Sequence, residues 1–289
     1  MQTTPKIGCI GQGFIGKHLA DDLEERGYSV VRYALEEPYC HNREALADCS
    51  LVFIAVPTPT TPQGFDCSIL EAVLPLVPAG ATAVIKSTVL PGSTARLQQQ
   101  FPELLLLHAP EFLREKHAAK DTREPERVIV GMPTDSPAYQ AAAKQVVEVL
   151  PSAPYTLICK AAEAELIKYG GNGFLALKVV YMNLLYDLAA AKGVDYEVVA
   201  AAMAADPRIG ASHMQVLDSS GHEGAVAGRG AGGHCFPKDW AALREAYAAS
   251  LPEDAAGLAV FKAVETKNRQ LLTSTNKDQD LLAAIYGEA

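Results

Sequence analysis

The segment Gly11-Gln12-Gly13-Phe14-Ile15-Gly16 constrains the fold of this 289-residue chain more than any other. It follows the apolar run Lys6 to Ile10 and leads into an amphipathic pattern over 14–26, so it reads as a tight turn between a strand and a helix. Glycine at these places lets the backbone approach a pyrophosphate and lets the helix pack closely on the strand, while the helix N-terminus attracts the anion. Gly11, Gln12, Gly13, Phe14 and Ile15 are therefore the expected dinucleotide contacts.

Short apolar runs near 5–10, 28–34, 51–56, 82–87, 104–108, 127–131 and 155–159 alternate with helical patterns that include 14–26, 66–76 and 137–149. Such alternation predicts an α/β fold, a Rossmann-type doubly wound parallel sheet. From Ala161 to about Lys192 the pattern becomes one proline-free helix, roughly 45 Å long at ~1.5 Å per residue. Further helices are expected over about 195–205, 238–249 and 255–272. The expected division is a dinucleotide-binding domain over 1–160, a long connecting helix with an all-helical second domain over 161–272, and a C-terminal tail over 273–289.

With 49% apolar and 20% charged residues the chain can bury a sizeable core. Its 25 basic and 34 acidic residues leave a charge of −9, which argues against binding nucleic acid or anionic membranes, so any phosphate site must be local. Six cysteines contain no Cys-x-x-Cys pair and sit mostly in apolar surroundings, the pattern of a reducing compartment. No basic-then-apolar leader opens the chain and no run approaches 18 apolar residues, so a cytoplasmic protein without a membrane span is expected. His213, His222 and His234 match no usual ligand spacing, and no metal site is expected.

Strand ends place further candidates, because ligands of such sheets bind outside the carboxyl ends of the strands. Val56-Pro57-Thr58 and Ser87-Thr88 are two of these ends. After the second strand the usual ribose-binding acid is missing near Ala34. Glu36 can substitute, or Arg32 can accompany a 2′-phosphate, so NAD is expected with NADP left open. Glu111 follows a further strand, where a carboxylate can serve as a general base. The loop Gly230-Ala231-Gly232-Gly233-His234-Cys235 delivers a thiol to the start of a helix, whose unpaired N–H groups favour thiolate.

Read together, these segments resemble the UDP-glucose/GDP-mannose dehydrogenase family. The carriers, in order, are the Gly11–Gly16 turn, Phe53-Ile54-Ala55-Val56-Pro57-Thr58-Pro59, Lys86-Ser87-Thr88-Val89, Pro110-Glu111-Phe112-Leu113-Arg114-Glu115, Glu165-Leu166-Ile167-Lys168-Tyr169-Gly170-Gly171-Asn172, Asp206-Pro207-Arg208-Ile209-Gly210 and Gly232-Gly233-His234-Cys235-Phe236-Pro237-Lys238-Asp239. The resemblance implies oxidation of a nucleotide-sugar primary alcohol to a carboxylate with two NAD and no metal. It implies that Cys235 carries a thiohemiacetal and then a thioester, that Lys168 and Asn172 face the oxyanion, and that Asp239 orients a water or Lys168. Glu111 and Thr88 would handle protons through water. It adds Glu115 and Lys238 to the cofactor contacts, and Phe112, Leu113, Arg114, Arg208 and Gly232 to the substrate contacts. A homodimer is implied in which Arg208 reaches the neighbouring subunit's site.

Typical members continue into a nucleotide-gripping domain, whereas this sequence stops about twenty residues past Asn268, so a short form lacking that domain is expected. The long loop after Arg208, with Arg229, is the expected source of replacement contacts to a diphosphate. A 3-hydroxyacid dehydrogenase would share the domain order and the Lys/Asn pair but use one hydride and no thiol. A non-catalytic nucleotide-binding relic is the remaining alternative.

Overall fold

The computed structural model describes residues 5–222 and 224–287. Residues 1–4, 223 and 288–289, which belong to the first domain, the long loop and the tail of the sequence division, lie outside it. Two compact units are present. One runs to Thr58 and resumes at Asp66–Lys168; the other joins Pro59–Phe65 to the chain from Tyr169 onward.

The first unit is built on the strands β1 (Ile7–Ile10), β2 (Val30–Tyr33) and β3 (Leu51–Ile54) around helix α1 (Phe14–Glu25). The hairpin strands β4 (Thr60–Thr61) and β5 (Gly64–Phe65) lie in the second unit, and α2 (Ser68–Val73), β6 (Thr82–Ile85), α3 (Ser93–Gln100) and β7 (Leu105–His108) follow. Helix α4 (Ala118–Arg123), β8 (Arg127–Met132), α5 (Pro137–Val149) and β9 (Tyr155–Lys160) complete it. The strands order as β2-β1-β3-β6-β7-β8-β9, and Ile7 pairs with both Val30 and Leu51 in parallel register. The sheet is mostly parallel, with one reversal: β8 runs antiparallel to β7 through His108 and Gly131, and β9 follows β8 in parallel. The segment between β7 and β8 stays at the carboxyl end of β7, so the chain re-enters the sheet from that end. Ile7, Leu19, Leu23, Phe53, Leu107, Val130 and Val146 share the core between sheet and helices.

Helix α6 (Ala161–Lys192) is unbroken over 32 residues. Glu163 caps its first turn by accepting the N–H of Lys160 at 2.9 Å, Lys192 stands in its last turn, and Gly193 ends it at φ 65°. Its internal glycines cost helical propensity, but Gly173 has a reason: a Cβ there would lie 3.1 Å from Leu243. Contrary to the expectation that no segment approaches a membrane span, α6 is long and apolar enough by length and composition, with a third of its most apolar window buried.

The second unit adds α7 (Tyr196–Ala204), α8 (Phe236–Ser250), α9 (Ala255–Ser274) and α10 (Gln279–Tyr286). Met182, Tyr196, Met214 and Val216 form one of its cores; Ala176, Val179, Ala231 and Trp240 form another. The stretch from Thr273 carries ordered structure: Leu282 and Ile285 of α10 are buried, and Lys277 and Asp278 are 4% and 6% exposed. Hairpin β4–β5 belongs to this unit because Thr60 donates to the Lys238 carbonyl at 3.1 Å, at the start of α8.

Within the first unit, Glu165 of α6 is fully buried and accepts the N–H groups of Gly92 and Thr94 at 2.6 and 2.8 Å and the Thr94 hydroxyl at 2.6 Å. It thereby caps α3, which has no cap of its own. Burial raises its pKa against the pull of those hydrogen bonds. Glu165→Ala strands buried donors and should lower the unfolding free energy by about 2–4 kcal/mol, read as a lower urea midpoint at unchanged slope.

Candidate active site

The glycine turn is shaped by what surrounds it. A Cβ on Gly11, at φ +88°, would stand 2.2 Å from the Ala55 carbonyl, and one on Gly16 would stand 1.9 Å from the Gly11 carbonyl, whereas Gly13 faces open space. No side chain caps α1 behind Gly13, and no acid occupies its first turn. Gln12 donates to the Cys9 and Gly11 carbonyls at 3.1 and 3.2 Å, while its Oε1 is buried without a partner. An uncapped helix start behind an open glycine and an unused polar atom fit a pyrophosphate.

At the ribose end, Glu36 is exposed and Ala34 is buried. Arg32 turns back onto α1, bidentate to Glu24 at 2.9 and 2.7 Å and bonded to Asp21 at 2.7 Å. Those carboxylates outweigh burial and push its pKa upward.

The ends of β3 and β6 are tied together. Ser87 donates to the Val56 carbonyl at 2.7 Å and accepts its N–H at 3.0 Å, and Thr58 donates to the Thr88 carbonyl at 2.7 Å; Pro57 is exposed between them. Glu111 accepts the N–H groups of Phe112 and Leu113 through Oε1 at 2.7 and 3.0 Å, and its Oε2 lies 3.3 Å from the buried Lys86 ammonium. The Phe112 ring meets two cations, the Arg127 guanidinium 3.9 Å and the Lys168 ammonium 5.6 Å from its centroid. Arg114 is exposed and bidentate to Asp121, and Glu115 opens the short turn before α4. Fully buried His108 sits among these cations; burial first, then Lys86 and Lys168, lower its pKa to about 3. Lys86, His108 and Arg127 were not singled out from sequence. A charged residue ending an apolar strand, as Lys86 does, is the signal that marks such a position.

In the second unit, Gly228, Gly230 and Gly232 lie in a bent segment, with Gly230 at φ +89°, and the space beside each is filled by other chain. A Cβ on each would stand 2.6 Å from Thr275 Oγ1, 3.0 Å from Asn268 Oδ1 and 2.1 Å from Asp278 Oδ2. Asn268 clasps Ala231, accepting its N–H at 2.7 Å and donating to its carbonyl at 2.9 Å. This segment delivers Cys235 as the residue preceding α8, half-buried, with its carbonyl accepting the Asp239 N–H at 2.9 Å. Asp239 is 1% exposed; its Oδ1 meets the Lys238 ammonium at 2.5 Å and its Oδ2 accepts from Asn172 of α6 at 2.6 Å. Burial lowers the Lys238 pKa, but the charges of Asp239 and Cys235 outweigh it and leave it raised. Elsewhere burial pushes the Cys9 thiol to about 12 and Cys159 to about 11, and Cys40, Cys49 and Cys67 are shifted up as well. All six cysteines are free thiols.

Arg208 is 87% exposed at its side chain and paired with Asp206 at 2.6 Å. Arg229 departs from the expected diphosphate contact: its guanidinium is committed to α6, bonding the Asn183 side chain and carbonyl and pairing with Asp187 at 2.7 Å.

A glycine turn before an uncapped helix, at the carboxyl ends of a mostly parallel sheet, defines a dinucleotide-binding α/β protein. The NAD binding domain of the UDP-glucose/GDP-mannose dehydrogenase family matches residues 39–150, and the central domain of the same family matches residues 162–270. The chain belongs to the UDP-glucose/GDP-mannose dehydrogenase family, and its cofactor is NAD. UDP-glucose 6-dehydrogenase of Pseudomonas aeruginosa is 34% identical over 260 residues, covering 85% of this chain and 52% of that protein. UDP-glucose 6-dehydrogenase AglM of Haloferax volcanii is 28% identical over 290 residues, covering 82% and 64%. The chain thus spans about half the length of the first curated relatives it matches. Among solved structures, a UDP-glucose dehydrogenase of Pyrobaculum islandicum superposes with a TM-score of 0.76 at 29% identity, covering 93% of this chain and 68% of that one. A 3-hydroxyisobutyrate dehydrogenase of Mycobacterium tuberculosis, at 16% identity and a TM-score of 0.70, shares the fold.

His108 carries a pH signature. The unfolded imidazole takes a proton near pH 6.5 and the folded one only near 3, so the stability held above pH 6.5 is lost as pH falls through that window. The slope is at most ~1.4 kcal/mol per pH unit. His108→Phe should flatten the dependence of Tm on pH between 6.5 and 4.5; an unchanged slope would show that other groups carry it.

Proposed function

We propose that this protein is an NAD-dependent nucleotide-sugar 6-dehydrogenase that takes a primary alcohol to a carboxylate in two oxidations, with UDP-glucose to UDP-glucuronate as the substrate pair. The observation that carries this reading is Cys235 at the head of α8, with Lys238 and Asp239 in the first turn. The helix N-terminus and the Lys238 ammonium both favour a thiolate there.

Bound NAD, held by the Gly11–Ile15 turn, supplies the hydride acceptor in each oxidation. Thr88 and Glu111 pass the alcohol proton to solvent through water as the aldehyde forms. The Cys235 sulfur then bonds to the aldehyde carbon, and the carbonyl electron pair moves to oxygen and takes up a proton, giving a thiohemiacetal. Loss of a hydride and the hydroxyl proton makes a thioester; water adds, the C–S bond breaks, and carboxylate and thiol are released. The balance is one alcohol, one water and two NAD⁺ to one carboxylate, two NADH and three protons. Lys168 and Asn172, one turn apart on α6, donate to oxygen as charge builds on it. Asp239 holds the Asn172 amide in its donating orientation. Val56, Thr58, Ser87, Glu115 and Lys238 contact the cofactor; Phe112, Leu113, Arg114 and Gly232 contact the sugar nucleotide; and exposed Arg208 serves the neighbouring subunit's site.

The assembly is a cytoplasmic homodimer formed through α6. Phe174, Leu177, Tyr181, Leu184 and Leu188 recur at alternating spacings of three and four, and each is between 39% and 64% exposed. That spacing supports a seam packed against a second copy of the helix. Lys178, Asn183 and Asp187 lie on the same helix and bind the Ile209 and Gly210 carbonyls and Arg229, polar contacts that suit a protein partner better than lipid.

Absorbance at 340 nm with NAD and a panel of UDP- and GDP-sugars tests the reaction. Two NADH per sugar are expected, falling to at most one in Cys235→Ser. Absence of turnover across the panel sinks the proposal, and full oxidation to the acid by Cys235→Ser transfers it to single-hydride 3-hydroxyacid chemistry. For the assembly, light scattering should give a dimer that Tyr181→Glu/Leu184→Glu converts to monomer.

A further inference from the structure

Asp278 lies beyond the residues matched by the family's central domain, in a segment whose sequence reads as a polar tail. We propose that Asp278 is a positioning residue for Cys235, holding the glycine loop so that the thiol stays at the head of α8. The proposal rests on the reading of Cys235 as the nucleophile.

The Asp278 side chain is 1% exposed and its two oxygens grip the loop at separate points. Oδ2 accepts the Gly233 N–H at 2.6 Å, two residues before Cys235, and also accepts the Ser220 hydroxyl. Oδ1 bonds His222 Nε2 at 2.9 Å, and the His222 ring meets the His234 ring edge-on at 5.0 Å. His234 immediately precedes Cys235, so the carboxylate holds Gly233 directly and bonds the imidazole against which His234 packs. Gly232 lies so close that any Cβ there would collide with Oδ2.

Such anchoring is needed because four of the residues from 228 to 233 are glycines, which supply no side chain to restrain the backbone. Asp278 is itself rigidly held. It sits in the left-handed region at φ 53°, its carbonyl accepts the Leu282 N–H at 3.1 Å, and α10 buries Leu282 and Ile285 behind it. Lys277 beside it donates to the Gly230 and Gly228 carbonyls at 3.0 and 3.4 Å. Three hydrogen bonds and Lys277 outweigh burial and keep the carboxyl below its ordinary range, so the acceptor is charged at neutral pH. Such charge-assisted bonds are the strong ones.

The test uses the full chain and iodoacetamide. Alkylation of Cys235 is followed against pH by peptide mass spectrometry with Cys67 as internal reference, beside kcat and KM for NAD and UDP-glucose. In Asp278→Ala, Cys235 alkylation at pH 7 should slow at least fivefold with its midpoint moved up, while Cys67 is unchanged. kcat should fall at least tenfold with KM for NAD within twofold. Asp278→Asn keeps an acceptor for Gly233 and should recover most of both. A folded Asp278→Ala with wild-type Cys235 alkylation and kcat overturns the proposal. Where Asp278→Ala does not fold, Ser220→Ala decides: at least a twofold slowing supports it and no change overturns it. Absence of UDP-glucose turnover in the wild type defeats the proposed function alone, since the alkylation profiles still decide the role of Asp278.

Discussion

The join between α6 and α8 in the helical unit hangs on one buried carboxylate. Asp239 has two oxygens and gives one to Lys238 and one to Asn172, which joins α8 to α6 and orients both donors. A charge that is nearly inaccessible to water is tolerated only when its lone pairs are engaged, and here the partners are a cation and an amide. The thiol four residues earlier inherits its setting from this arrangement: the same helical turn that places Asp239 indoors places Cys235 at the positive end of α8. Glu111 plays a comparable part in the sheet unit, where backbone N–H groups and Lys86 share its two oxygens.

Much of the fold was legible because its elements are long or strongly periodic. The seven strands of the main sheet and helix α6 fall within a few residues of their sequence patterns, since buried parallel strands read as short apolar runs and α6 lacks proline from end to end. Hairpin β4–β5 was invisible because two-residue strands have no period, and its place follows from a hydroxyl of Thr60 meeting a carbonyl far along the chain. The reversal of β8 was equally hidden, as direction leaves no mark on an apolar run.

Candidate residues were legible where several polar groups cluster in a short motif, as around Cys235 and Glu111. The contacts of Asp278 were not, because they come from a conformation: a non-glycine residue at φ 53° that brings one carboxylate to three donors drawn from residues 220–233. The glycines illustrate the same divide. At Gly11 and Gly16 the close packing expected from sequence is present, while the glycines at 228, 230 and 232 make room for Thr275, Asn268 and Asp278, information that resides in those distant residues rather than in the loop.

Arg32 ends the second strand with a cation that is already neutralised by its neighbours. A guanidinium at the end of the second strand would ordinarily welcome an additional phosphate, yet here Asp21 and Glu24 have already spent its charge. Helix α1 therefore sets the electrostatics at the end of the second strand, its acids covering a cation that the sheet supplies. Without those two acids the same arginine would stand at the strand end as an unneutralised positive charge.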